Sequence, residues 1–132
     1  MMVIIMIFET IGKKPRSNQY GSHYVEQDGL MFDSSREAHR YLKLKELQEV
    51  GSISGLEVHR KFTLLDGFRD RHGEWHRPIT YTPDFVYRDN VGDCLVAEDV
   101  KSEATVRDDV WMLKKKMFLA IYGKQYDFRI VG

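Results

Sequence analysis

Three side chains in the second half of this 132-residue chain have types and a spacing that could do chemistry: Asp84, Asp99 and Lys101. Asp84 sits in an apolar and aromatic run, Tyr81-Thr82-Pro83-Asp84-Phe85-Val86-Tyr87. A polar turn at Asp89-Asn90-Val91-Gly92-Asp93 separates that run from Leu95-Val96-Ala97-Glu98-Asp99-Val100-Lys101. Two apolar runs joined by such a turn predict strands folded back beside each other. Strand side chains alternate faces and rise ~3.3 Å per residue, so Asp99 and Lys101 share a face roughly 6.6 Å apart, with Val100 on the other. Asp84 can then face Asp99 across the pair. Two carboxylates ~5 Å apart repel by about 3 kcal/mol at an effective dielectric of ~20. That calls for a shared proton or a cation, and a neighbouring lysine suits phosphate and water. The plain alternatives are a turn or edge-strand aspartate at 84 and an i, i+2 surface ion pair at 99 and 101. Glu98 is acidic too, but alternation aims it at the opposite face, outside the site.

The rest of the chain must position these groups, and its apolar pattern suggests how. Tyr24-Val25-Glu26 and Leu30-Met31-Phe32 flank an Asp-Gly turn, which predicts a small hairpin. A helix starts at Asp33 or Ser34 and ends near Val50, where Gly51 supplies a stop. Ala38, Tyr41, Leu42 and Leu47 form its apolar stripe, with Lys43, Lys45 and Glu46 outside. Leu56, Val58, Phe62 and Leu64 share one parity, predicting a long strand from about Leu56 to Leu65. Asp66-Gly67 and the charged run Arg69 to Gly73 make a hairpin tip, and the chain returns from Trp75 to Tyr87. Ile79, Tyr81, Phe85 and Tyr87 share a parity there, and Asp84 takes the other. Pro78 and Pro83 argue for irregular or edge pairing near the site. After the strand ending at Lys101, a second helix spans about Thr105 to Tyr122. Val106, Val110, Leu113, Met117 and Ala120 lie at helical spacing on it, and Gly123 ends it. Tyr126, Phe128 and Ile130 alternate in a last strand. The order is helix, three strands, helix, strand. It describes one α/β domain over 1–132, with an N-terminal extension over 1–19 and a core over 20–132.

Composition bounds the partners. Twenty basic and twenty acidic residues give a formal net charge of zero, so a nucleic acid must be held by local basic patches. Lys13, Lys14 and Arg16 form a basic arm, either a solvated linker or a phosphate contact. Lys114-Lys115-Lys116 project at ~100° intervals around a helix, so they cannot all face one ligand; most read as a solvated face, with Lys114 or Lys115 the one expected to reach scissile phosphate or the adjacent strand. The single Cys94 excludes an internal disulfide framework and fits a reducing cytoplasm. Met1 to Phe8 is apolar but too short to span a bilayer, which argues against a membrane. His72 and His76 do not align as ligands in a turn and strand. Trp75 and Trp111 read as core residues. No glycine-rich phosphate loop and no Ser/His/Asp or Cys/His arrangement is present.

Pro83-Asp84, fifteen positions before Asp99-Val100-Lys101, resembles the PD-(D/E)XK signature of the restriction-endonuclease-like nucleases. The surroundings are similar to a small branch of that superfamily found in phages and prophages. They read Tyr20-Gly21, Phe32-Asp33-Ser34-Ser35-Arg36-Glu37-Ala38, Glu98-Asp99-Val100-Lys101 and the lysine-rich helix from Trp111 to Phe118. The resemblance implies a restriction-endonuclease-like αβββαβ core with a mixed central sheet flanked by helices. It also makes Glu37 a third carboxylate of a metal site, whereas Ser34-x-x-Glu37 by itself reads as a helix capping box; both readings of Glu37 stand. Ser102 departs from the glycine expected after the lysine.

The resulting expectation is a Mg²⁺- or Mn²⁺-dependent endonuclease of phage type acting on duplex or branched DNA, in recombination or junction processing. Asp84 and Asp99, with Glu37 and the Val100 carbonyl, would hold the ion, since oxygen ligands suit hard cations. Lys101 would orient water and stabilise charge on phosphate. A homodimer and a cytoplasmic location, in a host cell for a phage protein, complete the expectation. The alternative is a non-catalytic nucleic-acid-binding or assembly module on a nuclease scaffold.

Overall fold

Asp28 and Gly29 both adopt positive φ, 54° and 77°, the twist that suits a two-residue turn between antiparallel strands. They join β1 (Val25–Gln27) to β2 (Leu30–Phe32) as the Asp-Gly signal predicts. The computed structural model describes residues 24–102 and 107–132. The basic arm with Lys13, Lys14 and Arg16, the apolar stretch Met1 to Phe8, the Tyr20-Gly21 pair and Val106 lie outside those residues.

Helix α1 (Ser35–Glu49) begins where the capping pattern places it. The Ser34 hydroxyl accepts the Glu37 amide at 3.2 Å, and Glu37 Oε2 accepts the Asp33 amide at 3.0 Å. Ala38 and Tyr41 are buried as expected, together with Leu44, which continues the same i, i+3 row. The chain then runs through β3 (Ile53–Val58), β4 (Phe62–Leu65), β5 (Phe68–Arg69), β6 (Trp75–His76), β7 (Ile79–Tyr81), β8 (Phe85–Asp89) and β9 (Cys94–Val100). Helix α2 (Asp109–Tyr122) and β10 (Tyr126–Val131) complete it.

Four strands form one mixed sheet in the order β10-β9-β8-β3, with β10 parallel to β9 and the other pairs antiparallel. Helix α1 and the first hairpin cover one face, over a core that includes Phe32, Leu44, Phe85 and Val96. Helix α2 and the β4–β7 pair are packed together beyond the other face, over Phe62, Val86, Ala97 and Phe118. With the small side hairpins set aside, the two helices and this sheet follow the order helix, three strands, helix, strand.

Two expectations need correction. The long strand Leu56 to Leu65 is broken: His59 takes φ 58°, and β4 leaves the main sheet to pair with β7. Parity survives on both sides of the break, because alternation records which side chains are apolar and not whether the backbone runs straight. Helix α2 is also rotated. Val110 and Leu113 are 63% and 60% exposed, whereas Trp111 and Phe118, seven residues apart on another face, are buried. Aromatic rings remove more apolar surface from water than Val or Leu, so they claim the core.

Candidate metal-ion site

The β8–β9 pairing sets Phe85 opposite Glu98. One further step brings Asp84 opposite Asp99, as the strand geometry predicts. The ladder does not continue through Pro83, which has no N–H, and side chains take over its hydrogen bonds. The Asp84 amide donates to Asp99 Oδ1 at 2.9 Å, and the Val100 amide donates to Asp84 Oδ2 at 2.7 Å. In a strand a residue's N–H and C=O point to the same side, so the Val100 carbonyl leaves β9 toward Asp84.

Asp99 is an anchored carboxylate. Its Oδ2 accepts Trp111 Nε1–H at 2.7 Å from α2 and the Tyr81 hydroxyl from β7. With Oδ1 held by Asp84, both of its oxygens are engaged and the residue is 2% exposed. Trp111 is therefore a core residue with a polar task. Trp75 is not core: it is 53% exposed at the hairpin tip, with the Arg69 guanidinium 5.7 Å from its ring centroid.

Asp84 instead faces α1. Ligand atoms of Glu37, His59 and Asp84 all lie within 4.8 Å of one another, a convergence that leaves Asp99 out. Glu37 and Asp84 are buried, with a carboxylate oxygen of each within 4.8 Å of the other. Burial raises the pKa of both; the negative charges of Glu37 and then Asp99 raise Asp84 further. Both shifts favour the protonated acids over two adjacent anions. Glu37 makes the capping bond expected of it, one oxygen accepting the Asp33 amide, and the same side chain lies beside Asp84.

His59 is the site residue that motif reasoning misses. Its left-handed backbone turns the chain between β3 and β4, and its amide donates to the Asp84 carbonyl at 3.2 Å. Burial lowers its pKa, which favours a neutral imidazole with a lone pair to offer. The signal available in the sequence was the polar run His59-Arg60-Lys61 inside an otherwise alternating strand.

Lys101 lies at the other edge of the group. Its Nζ is 5.5 Å from the Trp111 ring centroid, and its charge lowers the pKa of Glu37, against the larger effect of burial. Lys115 Nζ is 5.5 Å from the same ring and 5.6 Å from that of Phe128, so a second cation flanks the indole that anchors Asp99. Lys114 is half-buried on the same helix. Glu98 lies on the opposite face as expected. It is fully buried there, accepting two bonds of 2.7 Å from Arg40 and one of 2.8 Å from the Tyr87 hydroxyl.

A second convergence, Asp70, Glu74 and His76, occurs at the hairpin tip. Asp70 is already used by the His72 and Glu74 amides and by His76 Nε2, which accounts for it as turn structure. The buried group fits a divalent ion better. It brings two carboxylates and an imidazole together, with the carboxylates in need of either a proton or a cation.

The sequence profile of a family described as "Protein of unknown function (DUF1064)" matches residues 17–130. No curated protein and no solved structure matches the chain. Among the described residues, no helix is long and apolar enough to cross a membrane.

Proposed function

The chain belongs to the DUF1064 family, and we propose that it is a divalent-metal-dependent phosphodiesterase, a DNA endonuclease on a restriction-endonuclease-like core. The observation that carries this reading is the buried meeting of Glu37 and Asp84 beside His59, opposite Asp99 and within the electrostatic reach of Lys101. Asp84 and Glu37 would hold Mg²⁺ or Mn²⁺, with the Val100 carbonyl on the same side of β9. Asp99 orients Asp84 through its amide and supplies further negative charge. Bound there, a divalent ion supplies Lewis-acid charge that activates water and offsets negative charge on a phosphoryl group.

The remaining steps belong to the chain. Lys101, held over the Trp111 ring, orients the attacking water and donates to the phosphate oxygen on which charge develops. Lys115, and Lys114 beside it, contact the DNA backbone on the α2 side, and Lys13, Lys14 and Arg16 are further basic residues for phosphate. Duplex or branched DNA is the substrate class, with phage-type recombination or junction processing as the setting and a homodimer as the assembly. An intact acid–acid–lysine set favours this over a purely binding or assembly role.

The test is a cleavage panel of supercoiled, linear, flapped and four-way-junction DNA with Mg²⁺, Mn²⁺ or EDTA. Cleavage that requires metal and disappears in Asp84→Asn supports the proposal. Binding of these DNAs without cleavage under every metal condition would instead select the non-catalytic module.

A further inference from the structure

We propose that His59 is a metal ligand, completing with Glu37 and Asp84 a mixed nitrogen–oxygen centre that prefers Mn²⁺ or a similar first-row transition ion to Mg²⁺. This choice of ion rests on the metal-dependent reading of the same site. Ligands bound at ~2.1 Å to one ion stand ~3.0 Å apart when adjacent and ~4.2 Å apart when opposite. The ligand atoms here lie within 4.8 Å of one another, so small side-chain movements bring all three onto one ion.

The local structure aims the imidazole deliberately. His59 occupies left-handed backbone at φ 58°, a region that non-glycine residues seldom enter. The turn is tied to the site itself, because the His59 amide bonds the carbonyl of Asp84, the residue whose carboxylate is a partner ligand. The ring also packs near Phe32, 5.9 Å between centroids, which limits its orientations. Among the described residues, no protein group bonds a ring nitrogen of His59 and no side-chain nitrogen is buried without a partner, so the half-buried imidazole stays accessible to an incoming ion. Its neighbours Arg60 and Lys61 are exposed, so only the histidine of this polar run turns inward.

The ion follows from the donor set. Mg²⁺ retains water and favours oxygen ligands, whereas imidazole binds better along the series from Mn²⁺ toward Zn²⁺. Two carboxylates with one imidazole therefore discriminate against Mg²⁺ where an all-carboxylate site would not.

The experiment uses the full chain stripped of metal. Pulsed electron paramagnetic resonance of the Mn²⁺-loaded protein should show modulation from a coordinated ¹⁴N nucleus, and calorimetry should show tighter binding of Mn²⁺ than of Mg²⁺. His59→Gly removes the ligand while accepting the left-handed backbone. It should abolish the ¹⁴N signal and weaken Mn²⁺ by at least the roughly 10–100-fold that outer-shell changes cost, with little change for Mg²⁺. His59→Asn, also tolerant of this backbone, offers oxygen and should narrow the preference between the two ions. Mn²⁺ bound without ¹⁴N modulation in the parent chain overturns the role of His59 and leaves the metal-dependent nuclease standing. Failure to bind either ion, with no cleavage in the DNA panel, overturns both. If the variants fail to fold, the parent spectrum still decides.

Discussion

The main-chain amide of Asp84 donates to the carboxylate of Asp99 at 2.9 Å, while the Asp84 carboxylate turns away and accepts the Val100 amide at 2.7 Å. The two aspartates therefore do different work. Asp99 is braced by Tyr81, Asp84 and Trp111; Asp84 is left to meet Glu37 and His59.

Their asparagine variants should part company in stability. In Asp84→Asn, the amide oxygen still accepts from Val100 and the NH₂ can donate to Glu37, which removes the crowding of two acids at one buried place. Thermal or denaturant unfolding in EDTA should show stability equal to the parent or higher. Asp99→Asn turns an NH₂ group toward existing donors and should lose about 1–3 kcal/mol. Both should lose cleavage. An Asp99→Asn protein as stable as the parent would show that the three-donor bracing contributes little.

The raised pKa values of Glu37 and Asp84 give a pH dependence with a definite sign. Folding raises the pKa of Glu37 and Asp84, so the folded state binds protons more tightly than the unfolded chain. Their contribution is present below the ordinary carboxylate range of ~4 and is lost as pH rises through the raised values. Metal-free protein should therefore lose stability from this pair as pH rises, and Mn²⁺ or Mg²⁺ should restore it with proton release. Denaturation curves across pH, compared between the parent and Asp84→Asn, measure this. The parent's loss should be larger; equal slopes would remove the pair as its origin.

Glu37→Gln separates capping from ligation. Glutamine can still accept the Asp33 amide, so unfolding stability should stay within a few tenths of a kcal/mol of the parent. The metal concentration for half-maximal cleavage should rise sharply. Unchanged metal dependence would confine Glu37 to its helix cap.

Lys101→Ala should lower turnover by the roughly 3–4 kcal/mol of one lost transition-state contact, with metal affinity nearly unchanged, since an ammonium is not a ligand. Lys115→Ala should instead weaken DNA binding and reduce its salt slope by about one. Single-turnover rates and binding isotherms at several salt concentrations distinguish the two. A Lys101→Ala rate within about twofold of the parent would contradict the assigned role.

Arg40→Ala tests the face on which Glu98 lies. It leaves a fully buried carboxylate without its ion pair and should cost about 3 kcal/mol, the low end because Arg40 is partly exposed. Metal affinity, measured where the variant is folded, should remain close to the parent. A large loss of metal affinity would bring Glu98 into the site's electrostatics.

Much of the frame was legible from local pattern. The Asp-Gly turn, the cap at Ser34 and the alternation of β8 and β9 depend on neighbouring residues, and strand period alone set Glu98 on the face opposite Asp99. Helix α2 was less legible, because it carries apolar residues on more than one side. Only packing against Phe62, Tyr81 and Tyr126 selects Trp111 and Phe118 over Val110 and Leu113.

The site divides in the same way. Sequence spacing brought Asp84 opposite Asp99, because an antiparallel pair with a short turn has its register set locally. Which carboxylate stays available was a tertiary decision, since Asp99 is claimed by donors from β7 and α2 that no local pattern links to it. His59 joined through a single left-handed residue that turns β4 out of the sheet. Local alternation determines the side a residue faces. Contacts between distant segments determine what it meets there, because they depend on how the whole chain buries its largest apolar side chains.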